Sequence, residues 1–171
     1  SYLRDDAIEK SLLPFYMEEN VGAVGGDIRA ANAEENLTTR AQAFEYLKTI
    51  TLGRTASTEY GILRIVSGAF GTFRTDTLRR LGGWDVGPGL DGDLVLKLRK
   101  LGLKIMHMPD SVCYTNLPTN LNSLAKQRYR WSRSLVRFRM RKHNNLLDPN
   151  SPFGWTDLAT VVDNIFFMVI L

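Results

Sequence analysis

The apolar stretch VGAVGGDIRA, residues 21–30, predicts a buried strand, and the segments around it limit what the chain can fold into. Helices are predicted at residues 7–19, 37–53, 75–83, 91–102 and 120–142, and glycines end the second at Gly53, the third at Gly82 and Gly83, and the fourth at Gly102. Further strand segments are predicted at 62–74, with a glycine-broken bend, and at 104–115, with an interruption at Pro109. Because helices alternate with strands, the sequence predicts an α/β domain with a mixed sheet.

The composition indicates one folded domain without covalent or zinc cross-links. The chain has 171 residues, of which 44% are hydrophobic and 23% are charged, as in folded proteins. A single cysteine, Cys113, excludes an internal disulfide and suits a reducing compartment. With only His107 and His143 beside it, a zinc site of the usual kind is not expected.

Both ends of the sequence have the character of cut points. The N-terminus has neither an initiator methionine nor a signal peptide and enters directly into a turn and a helix. The apolar residues 158–171 are too few for a full membrane span of roughly 20 residues. We expect the start of a transmembrane or interface helix there, and a buried helix of a soluble core is the alternative.

Two carboxylates, Asp91 and Asp93, stand at the start of the predicted helix 91–102, after a glycine-rich loop. An aspartate at a helix start most often caps free backbone N–H groups. The functional interpretation is a carboxylate held on a rigid helix end, facing a cleft as a general base. Nearby, Gly68 and Gly71 allow a close approach of the backbone to a substrate, although ordinary tight packing is the commoner cause.

The predicted helix 120–142 combines a basic face with a tryptophan. Between residues 126 and 142 every charged side chain is basic, which suggests phosphate, a nucleic acid or an anionic membrane surface. At helical spacing, Arg128 and Trp131 share one stripe, and Gln127 and Arg130 share the neighbouring one. An arginine fork matches a diphosphate, and an indole face stacks on a sugar ring or a base. Core packing of the tryptophan and solvation of the arginines are the simpler alternatives.

These motifs resemble those of the membrane-embedded, processive family 2 glycosyltransferases, the cellulose, chitin, hyaluronan and poly-N-acetylglucosamine synthases. QRYRW, residues 127–131, resembles their Q-x-x-R-W motif. Upstream, GLDGDLVLKLRKLGLKI resembles the T-E-D element with the helix and strand that follow it. SGAFGTFR occupies the place of the small-residue segment near the acceptor. The resemblance covers nearly the whole chain, with the motifs in the right order.

The resemblance implies three parts and a set of roles. Residues 1–118 are expected to be the C-terminal part of a GT-A-like catalytic domain, 119–150 an amphipathic interface helix, and 151–171 a membrane-interface segment that starts a transmembrane helix. Asp91 is expected to be the general base of an inverting transfer. The donor diphosphate is expected to contact Gln127, Arg128 and Arg130, and the acceptor sugar to contact Trp131, Ser67 and Gly68.

The resemblance also implies the partners and the location. It implies a nucleotide-sugar donor, in particular a UDP-sugar, a polysaccharide acceptor and a lipid bilayer, with no nucleic acid partner. Mg²⁺ or Mn²⁺ is implied, with its ligands expected upstream of Ser1. The expected location is the inner (plasma) membrane, with the catalytic side in the cytoplasm.

The sequence departs from the family pattern in two respects. Gly89 and Leu90 replace the threonine and glutamate of T-E-D, which leaves Asp93 as a substitute for Asp91. The nucleotide-binding half with the metal-binding D-x-D motif is expected before Ser1, so the 171-residue piece alone is predicted to be weakly active or inactive. The alternative from a different class is a non-catalytic basic module that binds nucleic acid or an anionic membrane surface.

Overall fold

The computed structural model describes residues 1–63, 65–84 and 90–136, which form an α/β fold around a four-stranded mixed sheet. The strands are β1 (Tyr2–Leu3), β2 (Val21–Ala30), β3 (Gly71–Phe73) and β4 (Lys104–Thr115). The helices are α1 (Ala7–Met17), α2 (Leu37–Tyr46), α3 (Gly53–Glu59), α4 (Thr75–Arg80), α5 (Leu90–Lys100) and α6 (Leu121–Val136). A π-helical turn, Leu47–Leu52, joins α2 to α3. The predicted fold class, α/β with a mixed sheet, is confirmed.

The parallel pair β2–β4 forms the centre of the sheet, and both edges are antiparallel. β1 pairs with β4 and β3 pairs with β2, which gives the order β1-β4-β2-β3. Both long strands have their predicted bounds. The register shifts where Gly26 faces Met108 but Asp27 faces Val112, so the β4 residues between them bulge out. Pro109 lies in this bulge because it has no N–H for the ladder.

The chain from residue 37 to residue 59 is helical throughout, so the predicted stop at Gly53 is wrong. Gly53 has right-handed helical angles, with φ −64° and ψ −40°. The run ends instead beside Gly61, whose φ of +66° favours glycine. The start of α2 is capped reciprocally, because Asn36 Oδ1 accepts from the Thr39 N–H and Thr39 Oγ1 accepts from the Asn36 N–H, both at 3.0 Å.

The described residues of 62–70 contain no strand, so the first strand predicted within 62–74 is wrong and only β3 forms. The segment instead lies close against β2. A Cβ on Gly26 would lie 2.2 Å from Phe70 Cδ1, and the Gly26 N–H donates to the Phe70 carbonyl at 3.3 Å. A Cβ on Gly71 would lie 2.3 Å from Val66 Cγ1. Because Gly26 and Gly71 have no Cβ, this segment can approach the sheet closely as a loop.

Two hydrophobic clusters hold the helices on the sheet. The first joins β2, β4, α5 and the 62–70 segment through Ala23, Leu63, Val66, Leu94, Val95, Leu98 and Ile105. The second joins β2, β4, α2 and the π-helical turn through Ile28, Tyr46, Ile50, Cys113 and Leu117. Phe70 and Trp131 pack against the second cluster. The first cluster thus fixes α5, which carries Asp91, and the second fixes α6, which carries the QRYRW segment.

The predicted membrane-associated parts are only partly covered by the structure. α6 is present from Leu121 to Val136, and the remainder of the predicted helix 120–142 lies outside the described residues. The predicted segment 151–171 also lies outside them. Within the described ranges, no helix has both the length and the apolar character that a bilayer span requires. The interface-helix role and the three predicted part boundaries stay predictions.

Replacing Gly26 with alanine should destabilise the fold, because the added Cβ overlaps the Phe70 ring and lies 2.8 Å from the Ser111 carbonyl oxygen. Overpacking of this kind costs about 1–3 kcal/mol and lowers the melting temperature by several degrees. Gly25→Ala is the matched control, since its Cβ would make only ordinary contacts with Val66 at 3.7 Å. Circular dichroism during heating measures both variants. Equal melting temperatures would contradict the close approach of the loop to β2.

Candidate active site

Asp91 lies in the first turn of α5 and is held by a backbone group from a distant part of the chain. Its Oδ2 accepts a hydrogen bond from the Gly68 N–H at 2.9 Å. The approach is close, since a Cβ at Gly68 would lie 3.0 Å from the same oxygen. The carboxylate thus bridges two segments instead of serving only its own helix. The structure brings the predicted general base and the predicted acceptor glycine into direct contact.

Asp93, the alternative carboxylate, has a different environment. Its residue surface is 6% exposed, and its Oδ2 lies 3.3 Å from Nζ of Lys97, one turn further along α5. Asp91 is half-buried. Of the two carboxylates, Asp91 is therefore the one that reaches the glycine turn, whereas Asp93 pairs within its own helix.

The turn that contains Ser67 and Gly68 is also held by Arg54 of α3. Arg54 Nη1 donates to Ser67 Oγ at 3.2 Å, and the Phe70 N–H closes the turn by donating to the Ser67 carbonyl at 3.1 Å. Sequence reasoning selected Ser67 and Gly68 but missed Arg54. Its position directly after a glycine suggested a loop, because Gly53 was expected to end the helix.

A buried polar cluster joins β2, β4 and the π-helical turn. The fully buried Asp27 accepts from Thr51 Oγ1 at 2.7 Å and from Arg29 Nε at 2.8 Å. His107 Nε2 lies 3.8 Å from Asp27 Oδ1, and the His107 backbone N–H donates to Thr58 Oγ1 at 2.9 Å. Sequence reasoning missed this cluster. The available signal was an aspartate inside an apolar strand, where an ionisable group needs partners.

His107 is electrostatically linked to both the cluster and the turn. Burial, as the larger cause, and the positive charge of Arg54 together lower the pKa of His107 to about 4, although the nearby Asp27 carboxylate partly opposes them. The imidazole is therefore neutral at neutral pH. Arg54 therefore interacts with both parts of the site. Its charge acts on His107 in the buried cluster, and its guanidinium donates to Ser67 in the glycine turn.

α6 directs one face toward the protein. Leu124, Gln127, Arg128 and Trp131 are partly buried on this inner face. Gln127 Oε1 is buried and has no hydrogen-bond partner among the described residues. An O–H or N–H donor at this position would satisfy the oxygen. Trp131 packs on the second cluster together with Phe70, so the glycine turn and α6 border the same part of the core.

Arg130 does not lie on the inner face of α6. It is exposed, together with Lys126, Tyr129 and Arg133, and Arg133 lies over the Tyr129 ring at 5.9 Å from its centroid. Gln127 and Arg130, which were predicted to share one stripe, therefore differ in exposure: Gln127 is partly buried and Arg130 is exposed. Residues three apart are neighbours on a helix, and here the edge of the contact surface passes between them.

Arg128 is engaged by Glu45 near the end of α2. Nη1 donates to Glu45 Oε1 at 2.7 Å and Nη2 donates to Oε2, so the pair is bidentate. The guanidinium also lies over Trp131, 5.1 Å from the ring centroid. The role of Arg128 at the donor diphosphate stays a prediction, and in this structure a carboxylate faces its charge. Sequence reasoning missed Glu45, because its partner lies 83 positions away.

The described residues bring together no three His, Cys, Asp or Glu side chains that could hold a metal ion. They therefore do not fit the role of a metal site, and the ligands expected upstream of Ser1 stay a prediction.

Residues 1–134 match the family described as Glycosyltransferase like family 2. The chain belongs to this family. As a family 2 glycosyltransferase chain, it is similar to proteins named poly-β-1,6-N-acetyl-D-glucosamine synthase. It is 30% identical over 135 residues to the one from Staphylococcus aureus strain COL, a match that covers 74% of this chain and 32% of that protein. The one from Staphylococcus epidermidis strain ATCC 35984 is 29% identical over 127 residues, covering 70% and 30%.

These matches confirm the resemblance to family 2 glycosyltransferases. They also define how much of such a protein the sequence represents. The chain spans about a third of the length of the curated relatives that it matches.

A solved structure supports the fold of this family 2 glycosyltransferase chain. The mannosyltransferase PcManGT from Pyrobaculum calidifontis, in complex with GDP-Man and Mn²⁺, matches with a TM-score of 0.62 and 21% sequence identity. The match covers 88% of this chain and 38% of that one. At this identity the likeness concerns the fold alone, and it confirms the predicted GT-A-like α/β architecture.

Acidification should destabilise the protein through His107. The unfolded chain takes up a proton near the ordinary pKa of about 6.5, whereas the folded protein does so only near 4, so stability falls as the pH drops between these values. The shift corresponds to about 3 kcal/mol, lost almost entirely by pH 4. Urea unfolding of the wild type and of His107→Asn at several pH values measures this contribution. The variant should lose less stability across the window, and identical losses would contradict a buried neutral imidazole.

Proposed function

We propose that the chain forms the acceptor side of a glycosyltransferase active site, which transfers a sugar from a nucleotide-sugar to a growing polysaccharide with inversion at the transferred carbon. Family membership and the similarity to poly-β-1,6-N-acetyl-D-glucosamine synthases support sugar transfer and a polysaccharide product. The observation that carries the proposal is the hydrogen bond from the Gly68 N–H to Asp91 Oδ2. It orients a half-buried carboxylate beside a turn that presents no side chain at its closest point.

In this proposal Asp91 is the general base. The acceptor hydroxyl gives its proton to the carboxylate while its oxygen forms a bond to the anomeric carbon of the donor sugar. The bond from that carbon to the diphosphate oxygen breaks, and the nucleoside diphosphate leaves with the electron pair. Attack opposite the leaving group inverts the carbon. A carboxylate offers about four acceptor positions, so the bond from Gly68 leaves capacity for the hydroxyl.

The acceptor sugar is proposed to contact Ser67, Gly68 and Trp131. The Ser67 oxygen accepts from Arg54, and its own O–H remains able to donate to a sugar oxygen. Trp131 is partly buried against the second cluster, which holds the indole in a fixed orientation for stacking. A fixed hydrogen-bonding group and a fixed stacking ring orient the hydroxyl toward Asp91.

The donor side is proposed to use Gln127, Arg128 and Arg130. The guanidinium of Arg130 is exposed, and the amide of Gln127 can donate as well as accept. Such groups stabilise the negative charge that develops as the diphosphate leaves. We propose a UDP-sugar as the donor. Mg²⁺ or Mn²⁺, held by ligands upstream of Ser1, would neutralise diphosphate charge when bound, and the Mn²⁺ in the structural neighbour supports a divalent metal.

The exposed face of α6 is proposed to lie at a membrane surface. Lys126, Tyr129 and Arg133 are exposed on this face, and basic and aromatic side chains together suit an anionic headgroup layer. With this face at a membrane surface, we propose that the protein acts at the inner (plasma) membrane, with its catalytic side in the cytoplasm and without a nucleic acid partner. The same face favours the second candidate function, a non-catalytic module that binds an anionic membrane surface.

Replacement of Asp91 tests the proposed function most simply. In the full-length protein, supplied with Mg²⁺ or Mn²⁺ and a panel of UDP- and GDP-sugars, Asp91→Asn should lower the rate of nucleoside diphosphate release about 100-fold or more, because no base takes the proton. Asp93→Asn is the matched control, since Asp93 pairs with Lys97 in its own helix, and it should retain turnover. Full activity of Asp91→Asn, or loss only in Asp93→Asn, would overturn the assignment.

Substitution of Gly68 tests how the carboxylate is oriented. A Cβ at this position would lie 3.0 Å from Asp91 Oδ2, so Gly68→Ala should displace the carboxylate and lower kcat about 10- to 100-fold. Gly25→Ala, whose Cβ makes ordinary contacts, should leave kcat nearly unchanged. Steady-state kinetics with the active donor measures both. Wild-type kcat in Gly68→Ala would show that the contact with Asp91 does not matter for turnover.

A further inference from the structure

We propose that Glu45 is a positioning residue, which holds the inner face of α6 in place for sugar transfer through its bidentate ion pair with Arg128. The inference rests on the proposed function and deepens it. The two side chains are only 24% and 19% exposed, and two parallel N–H···O bonds join them. Charge-assisted, bidentate pairs fix geometry in addition to contributing energy.

The position of Glu45 in the fold makes it suited to this role. It directly precedes Tyr46, which is buried in the second cluster, and Ile50 of the π-helical turn lies in the same cluster. Burial raises the pKa of Tyr46, and the charge of Arg128 opposes this rise. Glu45 thus lies at a helix end that is packed into the second hydrophobic cluster.

The ion pair between Glu45 and Arg128 also affects Trp131. The guanidinium lies over the indole ring at 5.1 Å from its centroid, on the same inner face of α6. A shift of Arg128 therefore removes the contact on one side of Trp131, while the second cluster contacts the indole elsewhere. Since Trp131 is the proposed platform for the acceptor sugar, loss of Glu45 should misalign the acceptor hydroxyl with the donor carbon.

The same contact leads to an opposite expectation if the only effect of Glu45 is to neutralise Arg128, which is itself proposed to bind the donor diphosphate. In that case Glu45 competes with the donor, and removing its charge should strengthen donor binding. The positioning role predicts that turnover falls without any gain in donor affinity. The direction of the change in donor KM therefore distinguishes the two roles.

The experiment uses the full-length protein with its active nucleotide-sugar. We expect Glu45→Gln to lower kcat about tenfold or more, with an unchanged or raised donor KM, and Glu45→Asp, which keeps the charge, to recover part of the loss. Glu18→Gln is the matched control, because Glu18 pairs with Lys104 at 2.8 Å elsewhere on the fold, and it should keep wild-type kinetics. A lowered donor KM in Glu45→Gln, or unchanged kcat, would overturn the proposal.

A charge swap covers the case in which Glu45→Gln does not fold. Glu45→Arg combined with Arg128→Glu restores an ion pair but removes the positive charge from α6. If the pair serves to position α6, the double variant should bind a short oligosaccharide acceptor more tightly than either single variant, a readout that does not depend on Arg128 as a donor ligand. A folded double variant that binds the acceptor as weakly as the single variants would contradict the proposal. Absence of turnover in the wild type with every donor would instead reject the proposed function, which keeps the two failures separate.

Discussion

The close contact between the glycines of β2 and the 62–70 segment determines where the candidate catalytic groups lie. At Gly26 the Phe70 ring occupies the space of a side chain, and the Gly26 N–H bonds to the Phe70 carbonyl. This contact brings the Ser67–Gly68 turn to the start of α5, where the Gly68 N–H meets Asp91. A glycine strand usually weakens a sheet, and here it allows two backbones to approach closely enough to orient a carboxylate.

Buried and partly buried polar groups fix the elements that surround this contact. Asp27 bonds to Thr51 of the π-helical turn, Thr58 accepts from the His107 N–H, and Arg54 reaches Ser67 from the same helical run. Each bond satisfies a polar group that would otherwise be costly to bury, so each also defines a position. Glu45 does the same for α6. The helical run from residue 37 to residue 59 therefore connects the sheet, the Ser67–Gly68 turn and α6.

The sequence was a good guide to the elements whose own residues determine them. The strands 21–30 and 104–115 and the helix of α5 follow from local periodicity, and Gly102 ends α5 with a φ of +74° as glycine stops do. The prediction that Gly53 ends a helix was wrong because tertiary packing keeps this residue helical. From sequence alone, a glycine with helical angles cannot be distinguished from a helix stop.

The candidate site likewise contains residues that the sequence predicted and residues that only the fold reveals. The motif pattern selected Asp91, Ser67, Gly68 and the α6 residues, and the structure brings the first three together. Glu45, Arg54 and Asp27 were missed because their partners are distant in sequence, and only the fold brings the pairs together. The exposure of Arg130 depends on the rotation of α6 about its axis, which the Glu45–Arg128 pair and the second cluster determine.

The most direct test of the account is an experimental structure of the full-length protein with a nucleotide-sugar and a short oligosaccharide acceptor bound. The account predicts the acceptor hydroxyl within hydrogen-bond reach of the Asp91 carboxylate, about 2.6–3.2 Å, and the terminal sugar stacked on Trp131. An acceptor bound away from the Ser67–Gly68 turn, with its hydroxyl directed to Asp93 or to no carboxylate, would contradict it.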